Sequence, residues 1–264
     1  MENLDPISFE ILKNSLISIA EEMGVVLRKS SFSPNIKERR DFSCALFNTS
    51  GQLVAQAEHI PVHLGAMPYS VQSVLKEFKD DFSEGDDIIL NDPYRGGTHL
   101  PDITMVSPIF FKERLIGFAA NRAHHSDVGG VTPGSMSALS RDVNQEGIRI
   151  PPIKIWTRGK QNRQILDFVL SNVRTPDERL GDLRAQRAAN LVAAKRLVEL
   201  LKKSRPSTVQ TGMDQLIDYS EELMLKRIQE LPRKSSSAVD YLDDDGFGTT
   251  DIPVRSKSLL VHNQ

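Results

Sequence analysis

The sequence is poor in cysteine and in long apolar runs. Cys44 is its single cysteine among 264 residues, so no intrachain disulfide can form. That favours a reducing compartment, and we expect a cytoplasmic protein. No apolar stretch approaches the roughly 20 residues that cross a bilayer. The first residues lack the basic segment and apolar run of a signal peptide, so we expect no membrane association.

An excess of basic charge is also missing. The chain has 33 Lys and Arg against 35 Asp and Glu, a net charge of −2. Nothing in this balance indicates the basic patch that a nucleic-acid partner requires, so we expect no nucleic-acid partner. Neither a Walker motif nor a Gly-x-Gly-x-x-Gly motif occurs, so we expect no nucleotide site in this chain. The length and the 39% hydrophobic content predict a folded protein with a real core.

Two short segments concentrate imidazole and carboxylate groups beside glycine pairs. The first reads NDPYRGGTHLPD at residues 91–102 and contains His99 and Asp102. The second reads NRAHHSDVGG at residues 121–130 and contains His124. Imidazole and carboxylate suit borderline to hard divalent ions, and glycine lets the backbone approach a substrate closely. These two segments are the candidate functional site.

The predicted elements bring the two segments together. Strands at residues 103–111 and 115–120 form an antiparallel hairpin, with His99 and Asp102 before it and His124 after it. All three side chains therefore come to the same end of the hairpin. We predict that they bind one divalent transition metal, Mn, Zn or Fe, because Mg and Ca prefer all-oxygen ligands. Polar packing of two turns is the alternative.

Three more residues are candidate catalytic groups. Alternation along an extended chain turns His124 and His125 to opposite sides, so His125 either packs or binds substrate. Asp127 is a candidate fourth ligand or general base, and a turn cap is its alternative role. Glu146 is a candidate general base or ligand, and the alternative is an exposed loop glutamate.

Four other residues carry weaker signals. His59 and His63 either form a second polar wall of the cleft or are ordinary loop histidines. Asp92 either orients a ligand imidazole or serves a turn, and Cys44 is predicted to be buried and structural.

Hydrophobic periodicity predicts a mixed α/β (α+β) protein. Residues 1–160 are expected to form a mixed sheet with helices that carries the site, and residues 161–232 a helical segment. Residues 233–264 are expected to be a linker and one strand without a partner. The individual predictions are a helix from residue 6 to 28, a hairpin at 42–57, a helix at 68–82, a strand at 87–90, and helices at 164–173, 176–203 and 209–231.

Six motifs in order resemble the hydantoinase B / 5-oxoprolinase family. They are ERRDFSCALFN (38–48), IPVHLGAMP (60–68), NDPYRGGTHLPD (91–102), NRAHHSDVGG (121–130), EGIRIPP (146–152) and SNVRTPDERLGDLRAQ (171–186). The resemblance implies a B-type subunit that works with an ATP-using A-type subunit in a hetero-oligomer. Such complexes open small cyclic amides such as hydantoins or 5-oxoproline.

The resemblance leaves two alternative functions. The resemblance extends to acetone and acetophenone carboxylases, which act on ketones. In the acetone carboxylases the B-like subunit has a manganese site, which corresponds by motif to His99, Asp102 and His124. Family members are usually about twice as long as this chain, whose expected β-rich C-terminal half is missing. A non-catalytic assembly subunit or fragment is therefore the third hypothesis.

Overall fold

A seven-stranded sheet forms the centre of the protein. The computed structural model describes residues 4–57, 60–231 and 235–259. The sheet order is β2-β1-β5-β4-β3-β6-β7, and all neighbours pair antiparallel. The fold class is confirmed, although the sheet expected to be mixed is antiparallel. Its strands are β1 (Phe42–Phe47), β2 (Leu53–Gln56), β3 (Asp87–Leu90), β4 (Asp102–Phe111), β5 (Arg114–His124), β6 (Ile153–Thr157) and β7 (Lys160–Gln161).

Helices cover both faces of this sheet. They are α1 (Pro6–Ser30), α2 (Pro34–Lys37), α3 (Pro61–Phe78), α4 (Arg163–Ser171), α5 (Pro176–Lys203) and α6 (Pro206–Glu230). All but α4 have proline in the first turn, where its fixed φ suits the helix and its missing N–H costs nothing. None of the helices in the described residues has the length and hydrophobicity of a membrane-spanning segment.

Each face of the sheet has its own apolar core. On one face α3 places Met67 and Val71 against Val106 and Phe118. On the other face α1, α5 and α6 pack together over the sheet, with fully buried side chains such as Leu16 and Ala189. The long helix predicted at 176–203 is confirmed as α5, and it lies directly on α1 and the sheet. Alternation along β4 and β5 thus decides whether a side chain faces α3 or α5.

The predicted start of the third helix is wrong. The sequence predicts a loop or short extended segment over residues 58–64 and a helix from Pro68. In the structure α3 begins at Pro61 and contains Pro68 in its interior. Burial of Leu64 and Met67 against the sheet accompanies this earlier start. As a consequence, His63 is a helical residue.

The C-terminal residues form a separate two-stranded ribbon. Strand β8 (Ser235–Asp244) pairs with β9 (Thr250–Leu259). The strand predicted near residue 251 therefore has a partner, and the linker predicted from Ser235 is wrong. Every residue of β8 is exposed, as is all of β9 except the half-buried Ile252. The short strands β6 and β7 were also not predicted.

Removing the ribbon should leave the rest of the protein folded. A chain that stops after Leu231 should unfold cooperatively and lose less than about 1 kcal/mol, because exposed residues contribute little. Chemical denaturation followed by circular dichroism measures this. The control stops after Ser204 and also removes α6 with its buried Val209 and Met213, and it should be clearly less stable. Loss of cooperative unfolding in the chain that stops after Leu231 would show that the ribbon is integral to the fold.

Candidate metal centre

The site is built on one pair of residues at the end of a hairpin. Asp102 is the first residue of β4 and His124 the last residue of β5, and the two are direct partners in the register. Because directly opposed side chains share a face of the sheet, both point toward the α3 side. His124 Nδ1 lies 2.9 Å from Asp102 Oδ1. The predicted convergence is confirmed, with both residues inside the strands.

A tightly turned loop brings His99 to this pair. The Asp92 side chain accepts from the backbone N–H of Tyr94 and starts a 3-10 turn over Pro93–Arg95. The Asn91 side chain donates to the carbonyls of Leu100 and Ile148 at 2.7 and 2.9 Å. These bonds fix both ends of the loop. The role of Asp92 is therefore that of a turn residue.

The three predicted ligands lie close enough together to form a candidate metal cluster. One ligand atom from each of His99, Asp102 and His124 lies within 4.8 Å of the other two. The rings of His99 and His124 are 5.5 Å apart between centroids. Two imidazoles and one carboxylate are a donor set suited to Zn, Mn or Fe, and three protein ligands leave positions open for water or substrate. The residues present thus fit a divalent transition metal.

The surroundings keep Asp102 ionised. Burial by itself raises the pKa of this carboxyl, but the His124 hydrogen bond and the nearby His63 and His99 outweigh burial and lower the pKa. An ionised carboxylate is the form that binds a cation. His99 is about one third exposed, with 35% of its side chain accessible, so the site opens to solvent on that side.

Two more residues line the cluster, and Asp41 was not among the predicted site residues. His63 Nε2 of α3 lies 3.8 Å from Asp102 Oδ2 and 3.6 Å from Asp41 Oδ1. Asp41 also accepts the backbone N–H of His124 at 3.0 Å through its carbonyl oxygen. His63 therefore lies beside the cluster, as the hypothesis of a second polar wall expects. His59 lies outside the described residues. Asp41 precedes β1, and its place in the ERRDFSCALFN motif was the available signal.

A buried arginine connects the elements beneath the cluster. Arg122, on the α3 side of β5, donates from Nε to Thr104, from Nη1 to Thr98 and from Nη2 to Ser70. Its side chain is fully buried, and burial lowers the pKa of its guanidinium. Its partners lie on β4, on the His99 loop and on α3. Arg122 therefore ties the position of His99 to the sheet.

The predicted catalytic residue His125 lies on the opposite side of the sheet from His124. Its ring is fully buried, and Nε2 lies 2.9 Å from Gln186 Oε1 of α5. Burial lowers the pKa of His125 to about 4, and nearby Arg179 adds to this effect. The rings of His124 and His125 lie on opposite sides of the sheet, as alternation along a strand predicts. The structure does not bring His125 into the cluster.

Asp127 organises the glycine loop that follows it. Oδ1 accepts backbone N–H groups of Gly129 and Arg174, and Oδ2 accepts from Gly134 and from the Arg174 side chain at 2.8 Å. Burial by itself raises the pKa of Asp127, but these bonds outweigh it and lower the pKa. Asp127 is not part of the three-residue cluster. Its contacts match the turn-capping alternative.

Glu146 and Cys44 take ordinary positions. Glu146 ends a 3-10 turn over Val143–Gln145 and is half-buried, and no hydrogen bond or ion pair of its carboxylate occurs among the described residues. Cys44 is buried within β1, as predicted. Burial strongly raises the pKa of its thiol, which keeps it protonated.

The fold and this cluster define an α+β protein with a two-histidine, one-carboxylate centre on an antiparallel hairpin. The family model described as hydantoinase B/oxoprolinase matches residues 5–260, and the chain belongs to that family. This confirms the resemblance carried by the six motifs.

The chain is similar to longer proteins. It is 35% identical to a protein of Pseudomonas sp. (strain NS671) described as the B component of a D-/L-hydantoinase, over 99% of this chain and 45% of the relative. Among solved structures, the ATP-dependent caprolactamase of Pseudomonas jessenii matches with a TM-score of 0.93 and 30% identity, over 98% of this chain and 45% of that one. The chain thus spans less than half the length of these relatives.

A more distant structure shares the fold. The nucleotide-free acetone carboxylase matches with a TM-score of 0.82 and 21% identity, over 89% of this chain and 31% of that one. At this level of identity the likeness concerns the fold alone.

A methyl group at Gly97 should disrupt the His99 loop. A Cβ there would overlap the backbone carbonyl of Asn91, whereas a Cβ at Gly65 in α3 meets no atom within 4 Å. We expect Gly97→Ala to lose about 1–3 kcal/mol, as overpacked sites do. Gly65→Ala, the control, should be neutral or gain about 0.5–1 kcal/mol from helix propensity. Thermal and urea unfolding measure both, and equal stability of the two variants would contradict the described loop packing.

Proposed function

We propose that this chain is the B-type subunit of an ATP-dependent cyclic-amide hydrolase. The observation that carries the proposal is the convergence of His99, Asp102 and His124, within a chain of the hydantoinase B/oxoprolinase family. The names of the similar proteins support ring-opening chemistry, since they describe a hydantoinase component and a caprolactamase. The substrate class is a small cyclic amide such as a hydantoin or a lactam.

The three side chains would bind a divalent transition metal, Mn, Zn or Fe. When bound, such an ion supplies a Lewis acid that polarises an oxygen of the substrate. Asp102 contributes a negative charge and accepts a hydrogen bond from His124, which fixes the orientation of that imidazole. Arg122 holds the His99 loop through Thr98, so the third ligand keeps its position.

Glu146 is our proposed proton carrier. A general base needs a carboxylate that can accept a proton, and Asp127 is engaged by Arg174 and three backbone N–H groups. His125 is buried against Gln186 on the other side of the sheet. Of the three predicted catalytic residues, Glu146 alone has a carboxylate without a hydrogen-bond or ion-pair partner among the described residues.

ATP chemistry is proposed for a partner. The sequence contains no phosphate-binding loop, while the similar caprolactamase is ATP-dependent and the similar hydantoinase protein is one subunit of its enzyme. We propose an A-type, ATP-using subunit and therefore a hetero-oligomer. The cytoplasm is the proposed compartment, because one cysteine allows no intrachain disulfide.

A ketone carboxylase would use the same cluster, so the triad does not separate the two activities. The likeness to acetone carboxylase is one of fold, and no observation at the site favours that reaction. Ring opening is therefore the proposal, and a substrate screen of the reconstituted complex distinguishes it. A non-catalytic assembly subunit would bind no metal and add no turnover.

Metal binding should depend on the three ligands. We expect close to one transition-metal ion per chain after gentle purification. His99→Ala and His124→Ala should weaken binding by more than about 100-fold, since loss of a mere hydrogen-bond partner of a ligand costs about 10–100-fold. His125→Gln, the control, should keep the ion because that ring faces α5. Elemental analysis of tag-free protein measures the content, and full occupancy in His99→Ala would contradict the site.

ATP turnover should require the partner. The isolated chain should show no ATP hydrolysis with hydantoin, 5-oxoproline or caprolactam. The complex with a co-expressed A-type subunit should hydrolyse ATP and open one of these rings, and His99→Ala in that complex should abolish ring opening. Coupled ATPase assays and product chromatography measure both. Robust ATP hydrolysis by the isolated chain would contradict the proposal that the A-type subunit hydrolyses ATP.

A further inference from the structure

A cavity lies far from the metal centre. It has a volume of about 510 Å³ between α5 and the end of the sheet where β3 begins and β4 ends. Ser107 lines it, five residues along β4 from Asp102, which is roughly 17 Å. Ser107 faces α5, whereas Asp102 faces α3. The cavity is therefore separate from the metal centre, and its volume falls within the usual range for small-molecule sites, about 300–1,000 Å³.

The base of the cavity is a buried polar network. Ser107 donates to Asp87 Oδ1, and Asn190 of α5 donates to Ser107 Oγ at 2.8 Å. Arg187 donates from Nε to Asp87 Oδ2 at 2.7 Å, and its guanidinium lies 5.0 Å from the ring centroid of Trp156. The network fixes the plane and position of the guanidinium. Each oxygen of Asp87 accepts one bond from within the network, and the negative charge of this carboxylate is paired with Arg187.

Most of the side-chain polar groups left for a ligand are donors. Arg187 uses Nε on Asp87, and its two terminal nitrogens, Nη1 and Nη2, have no hydrogen-bond partner among the described residues. At the rim, Lys195 and Lys202 form no ion pair in the part of the chain that the structure describes, whereas Glu199 pairs with Arg196 at 3.0 Å. Of the other lining carboxylates, Asp86 pairs with Lys154 at 3.0 Å, and Glu84 forms no ion pair among the described residues. Two unpaired lysines and the free guanidinium nitrogens therefore stand against one unpaired carboxylate.

The walls of the cavity are apolar. They are formed by Pro108, Phe110, Leu191, Ala194 and Val198. Leu191 is 46% exposed although it is a large aliphatic side chain. An apolar wall above a fixed pair of guanidinium donors matches a molecule with a hydrophobic body and one carboxylate, because the planar fork binds carboxylates in a bidentate manner.

We propose that this cavity binds a small organic carboxylate, with its carboxylate on Arg187 and its apolar body against Phe110, Leu191 and Val198. The site is independent of the proposed metal and of the ring-opening reaction. Its charge favours an anion over a neutral or cationic molecule of the same shape.

Benzoate tests the proposal, with benzamide as its neutral counterpart of the same shape. Calorimetric titration of the full chain, stripped of metal with a chelator, should show one benzoate site, at least about tenfold tighter than benzamide, as a charge-assisted bond predicts. Amide NMR shifts should centre on Phe110, Leu191 and Val198. Binding should be unchanged in His99→Ala, which separates this site from the metal centre.

Two variants test the residues, and the first has a matched control. Leu191→Glu should weaken benzoate binding about tenfold by charge repulsion, while Leu191→Gln, of the same size, should weaken it much less. Arg187→Lys keeps a cation opposite the buried Asp87 but removes the fork, and it should also weaken binding about tenfold. Equal affinity for benzoate and benzamide, or equal affinity of the two Leu191 variants, would overturn the proposal. The proposal would also be overturned by amide NMR shifts that centre on His99. Shifts around the cavity that appear only when a partner protein is added would overturn it too.

Discussion

The direct pairing of Asp102 with His124 is the constraint on which the centre depends. The register of the β4–β5 hairpin sets these residues opposite each other on the α3 face. Since side chains alternate along a strand, a shift of one residue would exchange His124 for a neighbour of opposite orientation. The same alternation sends His125 to α5, where Gln186 meets it. Pairing of β1 with β5 then adds Asp41 beside the cluster, and α3 adds His63.

A buried cation holds this arrangement together from below. Arg122 is fully buried and has hydroxyl partners on three different elements, Ser70, Thr98 and Thr104. Such a group is costly to bury unless its donors are satisfied, so its position is closely specified. Burial lowers the pKa of Arg122, and the charge of Asp102, on the same face of the sheet, offsets part of that lowering. Fold stability and the geometry of the centre therefore share the same side chains.

Short sequence patterns predicted the features that depend on residues close together in the sequence. The hairpin, the bounds of α5 and the triad of His99, Asp102 and His124 all follow from short segments with clear periodicity or density. The start of α3 did not, because packing of its first turns outweighed the local effect of Pro68. Asp41 reaches the site through the pairing of β1 with β5, a contact between distant segments, and only its place in the ERRDFSCALFN motif pointed to it. The exposed ribbon was mistaken for a linker because its strands lack a buried apolar face.

The most direct test is the location of the metal itself. Crystals of the chain grown with manganese, measured above and below the manganese absorption edge, give an anomalous difference map of the ion. We predict one strong peak enclosed by His99, Asp102 and His124, with open positions facing the exposed side of His99. A peak at another place, or an ordered triad without anomalous signal at saturating manganese, would contradict the metal centre.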